Sequence, residues 1–130
     1  MQEGCLFCMY DPTRVIFENE HCLFLAGDEP VLRGSGVIIP KTHRSTLFDL
    51  TKEEWMATYD LLAKVRAQME KDLQPHGYNV GWNCGEVGGQ VIHHAHLHVI
   101  PRFGDEPFAG KGIRHWLKSE ANRRPSAPDA

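Results

Sequence analysis

The first third of the chain contains short apolar-rich runs bounded by polar, glycine or proline residues, a pattern typical of β-strands. Apolar-rich runs at 15–18 and 21–26 are separated by the polar pair Asn19-Glu20, which predicts a β-hairpin. The run 36–40, Gly-Val-Ile-Ile-Pro, predicts a further strand that proline ends. Three strands are therefore expected before residue 41.

From Thr51 the pattern changes to a helical period. Thr51 followed by Glu54 is a capping-box signature. Apolar residues then recur at spacings of three and four, at Trp55, Tyr59, Leu62, Val65, Met69 and Leu73. Pro75 to Gly77 end the pattern. The sequence predicts one long amphipathic helix whose apolar stripe packs in the core.

Sequence patterns typical of β-strands recur after the helix. Residues 78–83 predict a strand, 84–89 a glycine-rich loop, and 94–101 a final strand. Strands grouped around one main helix are typical of an α+β fold with a mainly antiparallel sheet, five-stranded here, rather than of alternating βα units.

Three histidines, His94, His96 and His98, occupy alternate positions of that final strand. On a regular strand they share one face, and Ala95, Leu97 and Val99 point to the other. A solvated face is the ordinary explanation of one histidine, but a row of three favours chemistry. The outer two would have Cα atoms roughly 13 Å apart, too far to share one metal ion with the third without a bulge.

Composition restricts the remaining function classes. The 130 residues fit one domain, and the net charge of −3 provides no basic field for nonspecific nucleic-acid binding. A small anionic ligand remains compatible with eight histidines. The chain lacks a signal-like start and a run of about 18 apolar residues, so we expect a cytoplasmic protein without membrane contact.

Cys5 and Cys8 form a C-x-x-C pair, whereas Cys22 lies in an apolar strand and Cys84 in the glycine-rich loop. In a reduced compartment the pair is compatible with a redox site, with half of a zinc site, or with no function. Zinc requires two further ligands. The βαβ context expected around a redox C-x-x-C is missing from the predicted elements.

The run His94-Ala95-His96-Leu97-His98-Val99-Ile100 resembles the His-φ-His-φ-His-φ-φ motif, with φ apolar, of the histidine triad (HIT) nucleotide hydrolases and transferases. Further landmarks occur in the family's order over residues 5–102: Cys5-Leu6-Phe7-Cys8, Ile38-Ile39-Pro40-Lys41-Thr42-His43, Asn83-Cys84-Gly85 and Gly89-Gln90. Similarity to this family implies a HIT-like fold.

The resemblance also implies a mechanism. His96, the middle histidine, would attack the α-phosphorus of a nucleotide and form a nucleotidyl-histidine, which water then hydrolyses to release a nucleoside monophosphate. His98 would bind the transferring phosphate or assist proton transfer. Asn83, Gly89 and Gln90 would contact phosphate oxygens or the leaving group.

Branches of the family with a C-x-x-C pair hold a structural zinc ion, which implies the ligand set Cys5, Cys8, His43 and His94. Such a closed Cys₂His₂ site would pin the N-terminus to the sheet. Only His94 of the row would then bind the ion. The metal would take no part in the chemistry.

The sequence departs from the family pattern around the ribose site. Many members carry an acidic residue where this chain has Gly27, and we therefore expect the adjacent Asp28 to accept the ribose hydroxyls. Gly34-Ser35 replaces a frequent Gly-His. His93, on the Ala95 face, is expected to be a packed or edge residue.

We expect residues 1–110 to form the HIT domain, and residues 111–130 to add a short helix around 113–118 and then a frayed tail. A homodimer is expected because one sheet edge must be covered. Dinucleoside polyphosphates and nucleoside phosphoramidates are the rival substrates. The alternative function is a non-catalytic, zinc-stabilised module that binds nucleotides or acts as an adaptor.

Overall fold

The computed structural model describes residues 2–126 and has one long helix packed on one antiparallel sheet. This arrangement confirms the predicted α+β class. The elements are β1 (Val15–Glu18), β2 (Cys22–Ala26), β3 (Gly36–Pro40), α1 (Lys52–Asp72), β4 (Gly77–Trp82) and β5 (Leu97–Arg102). Across the described residues, the structure has no helix whose length and hydropathy suit a membrane span.

The strand order β1-β2-β3-β5-β4 inserts the last strand between β3 and β4. Every neighbouring pair is antiparallel. His98 of β5 pairs with Val37 on one side and with Gly81 on the other. The third histidine of the row is therefore held in the interior of the sheet.

The two faces of the sheet have different cores. The face toward α1 buries Phe24, Ile38, Leu97 and Val99 against helix residues that include Leu61, Val65 and Met69. The opposite face buries Leu23, Leu25 and Ile39, with Phe7, Val15 and Val37 packed against them. Because burying one such aliphatic or aromatic side chain contributes about 1.5–3 kcal/mol, both clusters stabilise the sheet.

The start of α1 is capped as the sequence predicts. The Thr51 hydroxyl accepts a hydrogen bond from the Glu54 amide at 3.1 Å, and the Glu54 carboxylate accepts one from the Thr51 amide at 2.8 Å. The same buried carboxylate accepts the Arg44 Nε–H at 3.0 and 3.2 Å. The segment that precedes the helix is thereby tied to its first turn.

Two predicted elements differ from the structure. Strand β5 begins at Leu97 and not at His94, because the Ala95 amide donates to the Arg44 carbonyl (2.7 Å) and not to a neighbouring strand. The short helix predicted around 113–118 is wrong. Turns form there, with an isolated 3₁₀ turn at Glu120–Asn122. Of the tail predicted to fray, residues 127–130 lie outside the described part of the chain.

Candidate active site and metal centre

His96 has one ring nitrogen anchored in the protein. Its Nδ1 lies 2.8 Å from the backbone carbonyl of His94. A carbonyl oxygen can only accept a hydrogen bond, so Nδ1 carries the hydrogen and Nε2 carries the lone pair. His96 is only 6 % exposed. This burial lowers the pKa of its imidazole below the ordinary value. The imidazole is therefore neutral at pH 7.

The second nitrogen of His96 remains accessible. Among residues 2–126, every buried side-chain nitrogen or oxygen has a hydrogen-bond partner, yet no described group bonds Nε2. Nε2 must therefore have surface that is accessible to solvent. A neutral, oriented imidazole with an open lone pair is the arrangement that nucleophilic catalysis requires.

His98 lies beside this ring. The ring centroids of His96 and His98 are 4.8 Å apart, with an interplanar angle of 69°. Burial, followed by the neighbouring His96, lowers the pKa of His98. The two imidazoles thus form a pair at one end of β5, as expected for groups that act on the same substrate.

Four residues distant in sequence form the second cluster: Cys5, Cys8, His43 and His94. Their ligand atoms all lie within 4.8 Å of one another. His94 Nδ1 is 3.4 Å from Cys5 Sγ and 3.5 Å from Cys8 Sγ, and His43 Nδ1 is 3.3 Å from Cys8 Sγ. The structure brings together the complete ligand set implied by the family resemblance.

Three S···N distances in this cluster match those of a tetrahedral zinc site. A site with bonds of about 2.3 Å to sulfur and about 2.0 Å to nitrogen has S···N edges of about 3.5 Å. His94 Nε2 lies 2.8 Å from the Pro40 carbonyl, so it carries the hydrogen and leaves Nδ1 free toward the thiols. This outer hydrogen bond fixes the tautomer that a metal ligand needs.

Three consecutive residues connect the clusters to the rest of the fold. His43 belongs to the Cys₂His₂ cluster. Arg44 bonds the first turn of α1 through its side chain and Ala95 through its carbonyl, and the Ser45 carbonyl accepts from Gln90. The segment from His43 to Ser45 therefore positions both the histidine row and the glycine-rich loop.

Gln90 organises the loop that precedes the histidine row. Its Nε2 donates to the carbonyls of Ser45 (2.7 Å) and Ile92 (3.1 Å), and its Oε1 accepts from the Gly85 amide at 2.9 Å. Both amide hydrogens are thus committed to protein carbonyls, and direct donation to a phosphate would require this arrangement to break. Gly89 adopts φ +97°, a conformation that glycine tolerates, with Asn83 beside it.

A cavity of about 540 Å³ opens beside His98. Its walls combine apolar side chains such as Phe7, Leu25 and Ile100 with the backbone at Gly27 and Gly36. Asp28 lies on its rim and is exposed. The volume is within the range of about 300–1,000 Å³ typical of small-molecule sites.

Three further residues that the sequence analysis singled out, Cys22, Cys84 and His93, differ in burial. Cys22 is fully buried against α1, and Cys84 is half-buried in the loop. His93 is exposed and lies outside the strands, so the expectation of a packed or edge histidine there is wrong. It follows Ile92 in a bend ahead of β5 and does not continue the strand alternation.

Phe7 is the site residue that sequence reasoning missed. Its ring lies edge-on to His96 with centroids 4.9 Å apart, and it also lines the cavity. Its position between the two cysteines was the available signal, because a pair of metal ligands fixes the residues between them. Only the tertiary fold reveals which residue the ring contacts.

The chain is similar to several curated proteins. It is 32 % identical to the protein named hit of Bacillus subtilis, covering 78 % of this chain and 73 % of that protein. It is 30 % identical to adenosine 5'-monophosphoramidase of Schizosaccharomyces pombe, with coverages of 84 % and 82 %. It is 29 % identical to bis(5'-adenosyl)-triphosphatase of Dictyostelium discoideum, with coverages of 69 % and 60 %.

Solved structures share the fold. A HIT family protein from Bacillus anthracis superposes with a TM-score of 0.74 at 31 % identity, covering 81 % of this chain and 77 % of the other. A Zn-bound histidine triad family protein from Mycobacterium smegmatis gives 0.72 at 28 % identity, with coverages of 82 % and 81 %. The family model described as HIT domain matches residues 10–105. A match over most of the chain, joined to the histidine row and the strand order, makes the protein a member of the HIT domain family.

Proposed function

We propose that the protein hydrolyses a phosphoanhydride or phosphoramidate bond at the α-phosphate of a nucleotide, with His96 as the nucleophile. The observation that carries this proposal is the His96 ring itself. It is neutral, anchored through Nδ1 to the His94 carbonyl, and open at Nε2. Two of the relatives, adenosine 5'-monophosphoramidase and bis(5'-adenosyl)-triphosphatase, support the substrate class by their names.

The reaction has two balanced steps. The Nε2 lone pair forms a bond to the α-phosphorus while the bond to the leaving group breaks, and the leaving atom takes a proton from solvent. Water then forms the new P–O bond and returns a proton to solvent, and the P–N bond breaks to restore the neutral imidazole. Splitting the hydrolysis in this way lowers the barrier of each step.

His98 is the group best placed to assist at the transferring phosphate. Its ring is next to His96 and on the wall of the cavity. Neutral at pH 7, it can donate one N–H hydrogen bond to a phosphate oxygen. It can also relay a proton from solvent to the leaving atom, one ring nitrogen accepting a proton as the other donates one.

The loop at 84–90 is proposed to receive the phosphate oxygens. Gly89 and Asn83 lie together at its end, and an amide side chain and a backbone N–H are suitable donors for developing negative charge. The hydrogen bonds of the Gln90 side chain hold this loop in shape. Gln90 would therefore position the residues that contact the phosphate, without contacting the phosphate itself.

The cavity beside His98 is proposed to hold the nucleoside. Its apolar walls suit a base, and the exposed Asp28 carboxylate at the rim is the candidate acceptor for ribose hydroxyls. Asp28→Ala is expected to weaken nucleotide binding relative to Glu20→Ala, a matched removal of an exposed carboxylate elsewhere. Equal nucleotide affinities of the two variants would show that Asp28 does not bind the ribose hydroxyls.

Cys5, Cys8, His43 and His94 are proposed to hold a structural zinc ion. The S···N distances and the His94 tautomer fit the donor set, and a Zn-bound structural relative supports the metal's identity. All four positions are filled by protein ligands, so the ion has no open position for water. It would cross-link the N-terminal segment to the sheet and supply no chemistry.

A second copy is proposed to cover the outer edge of β4. This strand is last in the sheet order, and its Val80 side chain is partly exposed beside the exposed Tyr59 of α1. An uncovered apolar strand edge favours pairing with another chain. A monomer in sedimentation experiments at micromolar concentration would contradict this assignment.

The test is a substrate panel of adenylated amines and dinucleoside polyphosphates. Wild-type protein is expected to release a nucleoside monophosphate from at least one class, and His96→Ala is expected to lose about 10³-fold or more in kcat/KM. His93→Ala, an exposed neighbouring histidine, is the matched control and should stay near wild type. Nucleotide binding without turnover in the wild type would instead indicate the non-catalytic module.

A further inference from the structure

Phe7 contacts the two clusters that the preceding sections treat separately. Its ring is edge-on to His96 at 4.9 Å and to His94 at 6.1 Å, with interplanar angles of 66° and 87°. It also packs against the buried cluster of Leu23, Leu25 and Ile39. One aromatic side chain therefore joins the metal cluster, the reactive imidazole and the core.

The His96 ring is restrained from two sides. Phe7 lies against it at 4.9 Å and His98 at 4.8 Å, and the Nδ1 hydrogen bond to the His94 carbonyl fixes its rotation. Removing the Phe7 ring would open one side. The imidazole would then gain freedom to tilt, and Nε2 would lose its fixed direction.

The backbone around Phe7 has little support of its own. It lies outside the helices and strands, in a turn closed by the Met9 amide on the Cys5 carbonyl (3.1 Å) and by the Cys8 amide on Cys5 Sγ (3.3 Å). The side chains on either side of it, Cys5 and Cys8, belong to the metal cluster. What the two sulfur atoms bind therefore contributes to the stability of this turn.

We propose that Phe7 is a positioning residue through which the Cys5–Cys8 metal centre orients the His96 ring. Metal binding fixes the turn, the turn fixes the Phe7 ring, and the ring holds the imidazole against His98. Loss of the metal would then disturb the imidazole even though the ion never touches the substrate. The kinetic part of this inference rests on the proposed function, whereas the structural part does not.

The first test compares Phe7→Ala and Phe7→Leu with Phe17→Ala and Phe17→Leu in zinc-loaded protein. Phe17 is a matched control because it packs against the core on the helix side of the sheet. The Phe7 variants should keep their zinc, and kcat should fall about 2- to 12-fold, less for leucine, as expected for one lost aromatic pair. The Phe17 variants should keep kcat. Equal losses at the two positions would overturn the proposal.

The second test observes the His96 ring directly. Its hydrogen-bonded Nδ1–H should give a slowly exchanging imidazole NMR signal, assigned by its absence in His96→Ala. The signal should persist in Phe17→Leu and be lost or broadened in Phe7→Leu and in chelator-treated wild type. An unchanged signal in both would overturn the proposal. This readout decides the matter even if the wild type hydrolyses none of the nucleotides tried, which would be a failure of the proposed function alone.

Discussion

Two buried side chains of the site, Gln90 and His96, differ in how many of their polar atoms are hydrogen-bonded to the backbone. Gln90 is 3 % exposed and makes three hydrogen bonds, to Ser45, Gly85 and Ile92. His96 instead uses one nitrogen and leaves the other open. The Gln90 side chain thus fixes the conformation of its loop, whereas His96 keeps one ring nitrogen available to bind another group.

Gln90→Glu is the substitution that tests this distinction. The carboxylate retains the bond from Gly85 but places oxygens against the carbonyls of Ser45 and Ile92. We expect a loss of about 1–3 kcal/mol in the free energy of unfolding, because a buried hydrogen-bond network is broken. Denaturant unfolding measures this loss. Gln74→Glu, which changes an exposed glutamine with a single bond to Lys71, is the control and should cost little.

At the scale of elements, much of the fold could be predicted from local pattern. The hairpin, the strand at 36–40 and the capped helix follow from turn residues, a proline and the Thr51–Glu54 signature, all of which act over a few positions. The start of β5 could not be predicted in this way. Period-two alternation begins at His94. In the structure, however, His94 bonds Pro40 and lies in the Cys₂His₂ cluster, and both contacts involve residues more than fifty positions away.

The candidate site shows the same division. The histidine row and the C-x-x-C pair are local motifs, and together with the family resemblance they predicted the cluster that the structure assembles. The roles of Gln90 and Phe7 were not predictable, because they depend on which backbone or ring lies opposite in the folded chain. The turns at 113–118 could not be distinguished from a short helix, since so short a segment gains its conformation from packing.

Metal removal tests how far the N-terminal element depends on the cluster. The chain as purified is expected to hold one zinc ion, and chelation or Cys5→Ser should lower the thermal midpoint by several degrees, since a ligand bound only to the folded state stabilises that state. Calorimetry and metal analysis make the measurement. Cys84→Ser is the matched control, as Cys84 lies outside the cluster. A Cys5→Ser protein with full metal content and an unshifted midpoint would contradict the assignment.

At the scale of the whole molecule, Arg102 attaches the chain beyond β5 to the sheet. Its guanidinium donates to the Glu106 carboxylate (2.8 Å), to the Asn79 side chain, and to the carbonyls of Phe108 and Lys111 (both 3.0 Å). The planar guanidinium supplies several donors in fixed directions, which an ammonium group cannot reproduce. This side chain, together with the Gly104 amide that donates to His76 Nδ1 at 2.8 Å, holds the segment that follows β5 beside β4.

Arg102→Lys is therefore expected to release residues 103–111 while leaving the core intact. Limited proteolysis should cleave this segment faster than in wild type, and Arg66→Lys, which changes an exposed arginine of α1, should not alter the cleavage. Hydrogen bonds from the Phe103 amide and from the Arg102 guanidinium hold the pKa of Glu106 below its ordinary value. Its contribution is thus complete at neutral pH and is lost as the pH falls through the lowered pKa, so wild-type cleavage should accelerate in acid.

The proposed reaction requires that His96, the second histidine of the row, form a covalent bond to phosphorus. The direct measurement is mass spectrometry of protein quenched in alkali during turnover, since a phosphorus–nitrogen bond to imidazole is labile in acid. We predict a mass increase of one nucleotidyl group, located on the peptide that contains His96 and absent from His96→Ala. Steady turnover with the adduct on a different residue, or with no adduct at any quench time, would contradict the account.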